Sequence, residues 1–472
     1  MKRSPRLAQS AVDAFTYRPH QPLSLQQPRS SALKGKSIAL KDNILLRPWP
    51  TTCSSLILGD FTSPFTATCA HDLLQAGAEI AGKTSLDEFG MGSMNVNVPP
   101  GMGRVVNPWK GGERGNGERS AGGSSGGSAV AVASGEVFAA LGTDTGGSIR
   151  LPASYCGVVG LKPGYGMVSR HGVVSYADSL DCVGVLTRSV EDARDVFNVI
   201  SRPDENDATC VSAAVRARAN EVKEQARRRV EGLPEGRLDG LRIGIPIETH
   251  LPPSHTPLPL TPLLRYLSSL GTQLLPISIP TIPFSLAAYY VLACAEASST
   301  LARFGGGWYG LGDGEREEVR RRGLGEEVRK RIVAGTYALT ADAFNNSYLK
   351  ALQLRRRLRG DYQAVFRSPH PQQPEVEPDT RGVDLILHPT AIRTAPPLTR
   401  HESSTSESEY AQDILTVPAS LAGLPCLSVP YGVGEADGWP VGVSLTGQWG
   451  SEGLLLDVAR VGVEAFAKVK EE

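Results

Sequence analysis

The chain has 472 residues, its 49 Lys and Arg are balanced by 49 Asp and Glu, and 40% of it is apolar. A charge sum of zero excludes the basic excess with which a protein holds nucleic acid on its own. Gly and Pro make up about 18% of the chain against roughly 12% in ordinary usage, which with this apolar share describes a loop-rich globular protein rather than a disordered one.

From the amino end, MKRSPRLAQSAV carries Lys2, Arg3 and Arg6 with no acid before Asp13, so residues 1–30 read as an organellar transit segment or a flexible tail. KSIALKD, Lys36 to Asp42, reads as a strand ending in a charged turn, and Thr66 to Gly77 as a helix closed by glycine. In AVAVASGEVFAALGTD a small-residue helix leads into a short apolar strand. After Arg202 the sequence turns polar and Arg-rich through VRARANEVKEQARRRVEG, then LRIGIP opens a new strand, marking a candidate boundary between lobes.

Helices are expected at Thr261 to Leu270, Pro283 to Arg303, Glu326 to Leu339 and Ala341 to Arg359, with a strand at VDLILHP. The uncharged run Leu267 to Ala295 contains Pro276, Pro280 and Pro283 and reads as core, not as a bilayer span. SPHPQQPEVEPDTRG and HESSTSESE read as exposed loops. A helix at Tyr410 to Ala422, strands in PCLSVPYG and PVGVSLTGQ, and an amphipathic helix from Ser451 complete an α/β pattern. The seven scattered cysteines, an odd number with no C-x-x-C pair, read as buried thiols of a reducing compartment.

Chemistry concentrates in two glycine-rich segments. SAGGSSGGSAVAVASG, Ser120 to Gly135, runs directly into a helix, which a flexible linker would not do. A phosphate-binding loop would need Lys then Ser or Thr after its last glycine, and here Gly127 is followed by Ser128 and Ala129. In GTDTGGSIRLPASYCGVVGLKP, Gly142 to Pro163, Ser148 follows two glycines that let backbone N–H groups converge beside a nucleophile. Its base could be His171, in a Ser-His-Asp arrangement, or a buried neutral lysine such as Lys41. Asp144, Arg150 and Asp181 read as structural groups shaping the loop.

The ordered set of KDNI at Lys41, GGSSGGSA at Gly122 to Ala129 and GTDTGGSIRLPA at Gly142 to Ala153 resembles the amidase signature family. The resemblance implies an α/β fold with a large mixed β-sheet core covered by helices on both faces. It implies one such domain over 31–472, with its core about 31–200 and 380–472 and a more helical lobe about 240–360. It further implies Ser148 as acyl nucleophile, Ser124 as bridging serine after a cis Gly123-Ser124 peptide, and Lys41 as base. Backbone N–H groups of Thr145, Gly146, Gly147 and Ser148 would form the oxyanion hole.

Four further stretches, DEFGMGS, EASSTLARFGGGWYG, Glu326 to Arg359 and Tyr410 to Gly432, resemble the glutaminase subunits of tRNA-dependent amidotransferases within that family. That branch implies Tyr309, Arg331 and Asp413 as contacts for glutamine, whose zwitterion needs one fixed cation and one fixed anion. It implies no metal or cofactor in this chain, with ATP and Mg held by a B-type partner. It also implies a small third component (C-type or a fungal equivalent), with Glu-tRNA(Gln) recognised mainly through the partner. Departures after DEFGMGS, between Tyr309 and Arg331, and at HESSTSESE, with the basic amino end, point to a divergent mitochondrial form acting on the matrix side. The alternatives are a stand-alone amidase for another small amide and a catalytically silent scaffold in the same assembly.

Overall fold

The computed structural model describes residues 14–99, 102, 104–109, 117–227, 236–250, 258–304, 315–343, 347–371, 379–398 and 409–471. Its frame is one sheet of eleven strands: β1 (Phe15–Tyr17), β2 (Ser37–Lys41), β3 (Glu79–Thr84), β4 (Ala139–Asp144), β5 (Val159–Lys162), β6 (Cys182–Thr187), β7 (Arg242–Pro246), β8 (Gln273–Ile277), β9 (Leu385–Pro389), β10 (Cys426–Val433) and β11 (Pro440–Gly447). They lie in the order β1-β3-β2-β4-β6-β5-β10-β11-β9-β7-β8. β2 runs parallel to both β3 and β4, and β7 parallel to β8 and β9, while the remaining pairings are antiparallel.

The faces of β2 follow from its period of two. Ile38 and Leu40 enter one core with Leu73 and Val196, from the helices Thr68–Gln75 and Val190–Ile200. Ala39 enters another with Ala129 and Val130, from the helix Gly126–Ala133. Helices therefore cover both faces, and by the same alternation Lys41 falls on the side of the Gly/Ser helix.

The segment after Arg202 contributes β7 and β8 to the far edge of the same sheet. Its long helices, Ile282–Thr300, Glu326–Ala338 and Leu349–Val365, share a third core. A Cβ on Gly335 would lie 1.8 Å from the carbonyl oxygen of Cys294, so only glycine lets the first two helices approach this closely.

Residues 1–13 lie outside the described residues, but from Phe15 the chain is tied to the sheet: β1 pairs with β3, and Leu23 and Ile80 exchange backbone hydrogen bonds of 2.9 and 2.8 Å. Phe15 to Leu23, part of the segment read as a transit segment or tail, thus lies against the sheet. Of the helix expected at Ala341 to Arg359, Ala341–Ala343 and the stretch from Leu349 are helical, residues 344–346 lie outside the described residues, and the helix runs on to Val365. It extends past Arg359 because Leu358 and Tyr362 pack into the core. The helix expected at Tyr410 to Ala422 is a 3-10 turn, Ala411–Asp413, followed by a helix, Val417–Ala422. Pro418 lacks the N–H that would continue the earlier turn and instead suits the first turn of a new helix.

Among the described residues, no helix is long and apolar enough to cross a membrane.

Candidate active site

Parallel strands β2 and β4 end side by side, Lys41 closing one and Asp144 the other, and the site forms beyond these carboxyl ends. From Asp144 the chain turns through Thr145 to Ser148 into the helix Arg150–Cys156. Asp144 holds that turn shut. Its carboxylate accepts the backbone N–H of Ile149 (3.1 Å) and of Arg150 (3.4 Å), and pairs with the Arg150 guanidinium at 3.0 and 2.9 Å. Arg150 also donates to the Thr416 carbonyl (2.7 Å) and Ser420 Oγ (2.8 Å). Thr145 Oγ1 donates to Asp181 (2.5 Å), which also accepts from Ser175 Oγ and the Tyr176 N–H. Both acids are thus occupied in shaping the loop.

Gly146 and Gly147 have no room for a side chain: a Cβ would lie 2.5 Å from the Tyr289 ring at one and 2.2 Å from Thr416 Oγ1 at the other. Whereas Asp144 takes the N–H groups of Ile149 and Arg150, those of Gly146, Gly147 and Ser148 donate to no acceptor among the described residues. Unspent donors on a tight glycine turn can receive a developing negative charge.

Lys41 is fully buried. Nζ donates to Ser124 Oγ and Ser125 Oγ, each at 2.8 Å, and lies 3.3 Å from the Thr143 carbonyl. The adjacent acid, Asp42, is occupied by Lys83 at 2.9 Å, so no carboxylate forms an ion pair with Lys41 among the described residues. Burial lowers the Lys41 pKa from 10.5 to about 7, against the opposing pull of Asp87, Asp144 and Asp181. A lysine so placed can be neutral at physiological pH and accept a proton through a bridging hydroxyl.

The Gly123-Ser124 peptide is cis. Ser124 is 1% exposed and Ser148 8%, so Ser148 is the less enclosed of the two. The Ser125 N–H donates to the Ser148 carbonyl at 3.1 Å, joining the two glycine-rich segments directly. Ser125 escaped the sequence reading; its Oγ accepts from Lys41 and donates to the Thr143 carbonyl (3.1 Å).

Beside the turn lies a cage of tyrosines. Tyr289, which touches Gly146, is followed by Tyr290, whose hydroxyl donates to Asp413 Oδ2 at 2.7 Å. Ser93 Oγ donates to the same oxygen (2.7 Å), and the Ser93 carbonyl accepts the Gly123 N–H (2.8 Å). Arg331, 4% exposed, lies over Tyr290, Tyr176 and Tyr410, with its guanidinium carbon 5.2, 5.7 and 5.7 Å from their ring centres. Its Nη1 donates to Tyr176 Oη (2.8 Å) and its Nε to Glu327 Oε1 (2.7 Å). Arg331 and Asp413 therefore share one enclosure, linked through Tyr290, without an ion pair between them. Tyr309 lies outside the described residues. Burial raises the Asp413 carboxyl to about 6 against its hydrogen bonds from Tyr290 and Ser93 and the charge of Arg331.

The tyrosines and Glu327 were also missed. The Tyr289-Tyr290 pair inside a helix and Glu327 four residues before Arg331 were the available signals. His171, weighed as a base, faces Thr68 Oγ1 (3.3 Å) and stacks on Phe65 instead. All seven cysteines are free, six of them buried, as the sequence led one to expect.

A family model described as Amidase matches residues 18–456. The chain belongs to the amidase family. Among its amidase relatives, the mitochondrial A-type component of glutamyl-tRNA(Gln) amidotransferase from Mycosarcoma maydis is 46% identical over 456 residues, covering 91% of this chain and 83% of the relative. The protein of the same name from Coccidioides posadasii is 43% identical, covering 91% and 88%. The crystal structure of the A-type component of glutamyl-tRNA(Gln) amidotransferase from Thermotoga maritima aligns with a TM-score of 0.70 at 36% identity, covering 95% of this chain and 87% of that one. The mixed sheet with helices on both faces is thus the amidase architecture anticipated from the two Gly/Ser motifs.

Proposed function

We propose that the chain is the glutamine-hydrolysing component of a mitochondrial amidotransferase that converts Glu-tRNA(Gln) to Gln-tRNA(Gln). The observation carrying this reading is the contact of the buried Lys41 with Ser124, beside an enclosure that offers one guanidinium and one carboxylate. Relatives at 46% and 43% identity, named as the mitochondrial A-type component of that enzyme, support it.

In this reading Ser148 Oγ attacks the side-chain amide carbon of glutamine, and its proton passes through Ser124 to neutral Lys41. The N–H groups from Thr145 to Ser148 hold the oxyanion. The relay returns the proton to the leaving nitrogen, ammonia departs, and water cleaves the resulting ester to glutamate. Arg331 takes the α-carboxylate and Asp413 the α-ammonium, with Tyr309 as a third contact. Ammonia passes to a B-type partner, which binds ATP, Mg and the tRNA, and a small third component completes the assembly. A chain with no net charge suits a protein that handles a small zwitterion and leaves RNA to its partner.

The test is ammonia release from glutamine by the full chain together with whatever copurifies with it. Arg331→Ala and Asp413→Ala are each expected to raise KM for glutamine at least about tenfold, the loss of one charge-assisted contact. Unchanged KM in both, or an active monomer that hydrolyses diverse amides equally, would replace this reading with that of a stand-alone amidase.

A further inference from the structure

The tyrosine cage contains a charge that the sequence motifs did not anticipate. Glu327 is 7% exposed, and Tyr410 Oη donates to both its oxygens, at 3.0 and 3.2 Å. It lies one helical turn before Arg331 and accepts from Arg331 Nε, the inner edge of the guanidinium. Tyr176 Oη takes one Nη1 donor, and Nη2 donates to nothing among the described residues, so the Nη edge stays available to a planar carboxylate.

The charge sum of the cage then matters. Arg331 contributes one positive charge, and Glu327 and Asp413 one negative charge each. Glu409, nearby, accepts from Asn97 Nδ2 at 3.0 Å and adds to the negative side. Glu327 also lines a surface cavity of about 340 Å³ with Glu88, Asn97 and Arg329. Without Glu327 the enclosure would carry one negative charge fewer, and a ligand bringing only a carboxylate would meet less repulsion. With Glu327 in place, a ligand bringing only a carboxylate adds a further negative charge to a site that is already negative overall, while a ligand that also brings an ammonium adds none.

Resting on the glutamine reading above, we infer that Glu327 is a positioning and specificity residue: it fixes the Arg331 fork and makes the site select amides that carry an α-ammonium beside the α-carboxylate. Asp413 meets that ammonium directly; Glu327 acts through Arg331 and through the charge of the enclosure.

The experiment compares kcat/KM for glutamine and for glutaramate, the same amide without its α-ammonium, in the full chain with its copurifying partner. Glu327→Gln keeps an oxygen for Arg331 Nε and removes the charge. It is expected to lower the glutamine-to-glutaramate ratio of kcat/KM about tenfold, mainly through a lower KM for glutaramate. Tyr410→Phe keeps the charge and releases one restraint on Glu327, so it should raise both KM values together and leave the ratio within about twofold. An unchanged ratio in Glu327→Gln, while Arg331→Ala still raises KM for glutamine, would overturn the role of Glu327 alone. A wild-type chain that releases no ammonia from glutamine would overturn the reading beneath it.

Discussion

Lys41 Nζ stands 2.8 Å from Ser124 Oγ, and the acid next to it in sequence, Asp42, is held by Lys83. This arrangement fixes the expected pH dependence. With Lys41 lowered to about 7, kcat/KM should rise about tenfold per pH unit below 7 and level off above it. Below about 6, protonation of Asp413 removes the anion for the α-ammonium and should steepen the fall further. A profile still climbing at pH 9 would mean a lysine of ordinary basicity and would exclude it as the base. The same shift bears on stability: between about 7 and 10.5 the unfolded chain holds a proton on this lysine that the folded chain lacks, so folding gains as pH rises through that window.

Ser148→Ala should reduce ammonia release on the order of 10⁴-fold, with thermal unfolding almost unchanged because only one small hydroxyl is removed. Ser124→Ala should lose on the order of 10² to 10⁴-fold, since Lys41 keeps only Ser125 as a hydroxyl partner. Intact mass after rapid quenching should show a glutamyl ester in wild type and none in Ser148→Ala. Retention of the ester in that variant would refute the nucleophile.

At Gly146 and Gly147 an alanine has nowhere to go, against the Tyr289 ring and Thr416 respectively. Each substitution should cost about 1–3 kcal/mol in urea unfolding and, by displacing the free N–H groups, lower kcat about 10²-fold. Full kcat in either variant would show that these donors do not serve the reaction.

Asp144→Ala leaves the Arg150 guanidinium buried without its carboxylate and should cost about 3–5 kcal/mol. Burial alone would push the Asp144 carboxyl up, but the charge and hydrogen bonds of Arg150 outweigh it and hold it below its usual value. The stability this pair confers is therefore present above the ordinary carboxylate pKa of about 3.9 and is lost as pH falls through the lower folded value. Denaturant titrations at pH 7 and at about pH 2 test both points. A midpoint unmoved by the substitution would mean the turn is held by other contacts.

Much of the site was legible because its parts are short and local. KSIALKD has to be a strand, since its apolar run suits a sheet buried on both faces, and its alternation places Lys41 on the side of the Gly/Ser helix. The two glycine-rich segments announce a turn that exposes backbone donors, because glycine spacing is a property of the chain itself. The break before Pro418 was missed in a segment that otherwise reads as one helix.

The sequence by itself determined which groups can do the chemistry: a lysine ending an apolar strand, serines flanked by glycines, and the α/β order of elements that covers both sheet faces. Only the tertiary structure decided their states and company. The lowered pKa of Lys41 depends on complete burial, which comes from the packing of β2 against its neighbours. The tyrosine cage gathers Ser93, Tyr176, Tyr290, Glu327, Arg331, Tyr410 and Asp413 from separate elements. No local pattern encodes such a gathering, because electrostatics depends on distance in space, and only folding makes these residues neighbours.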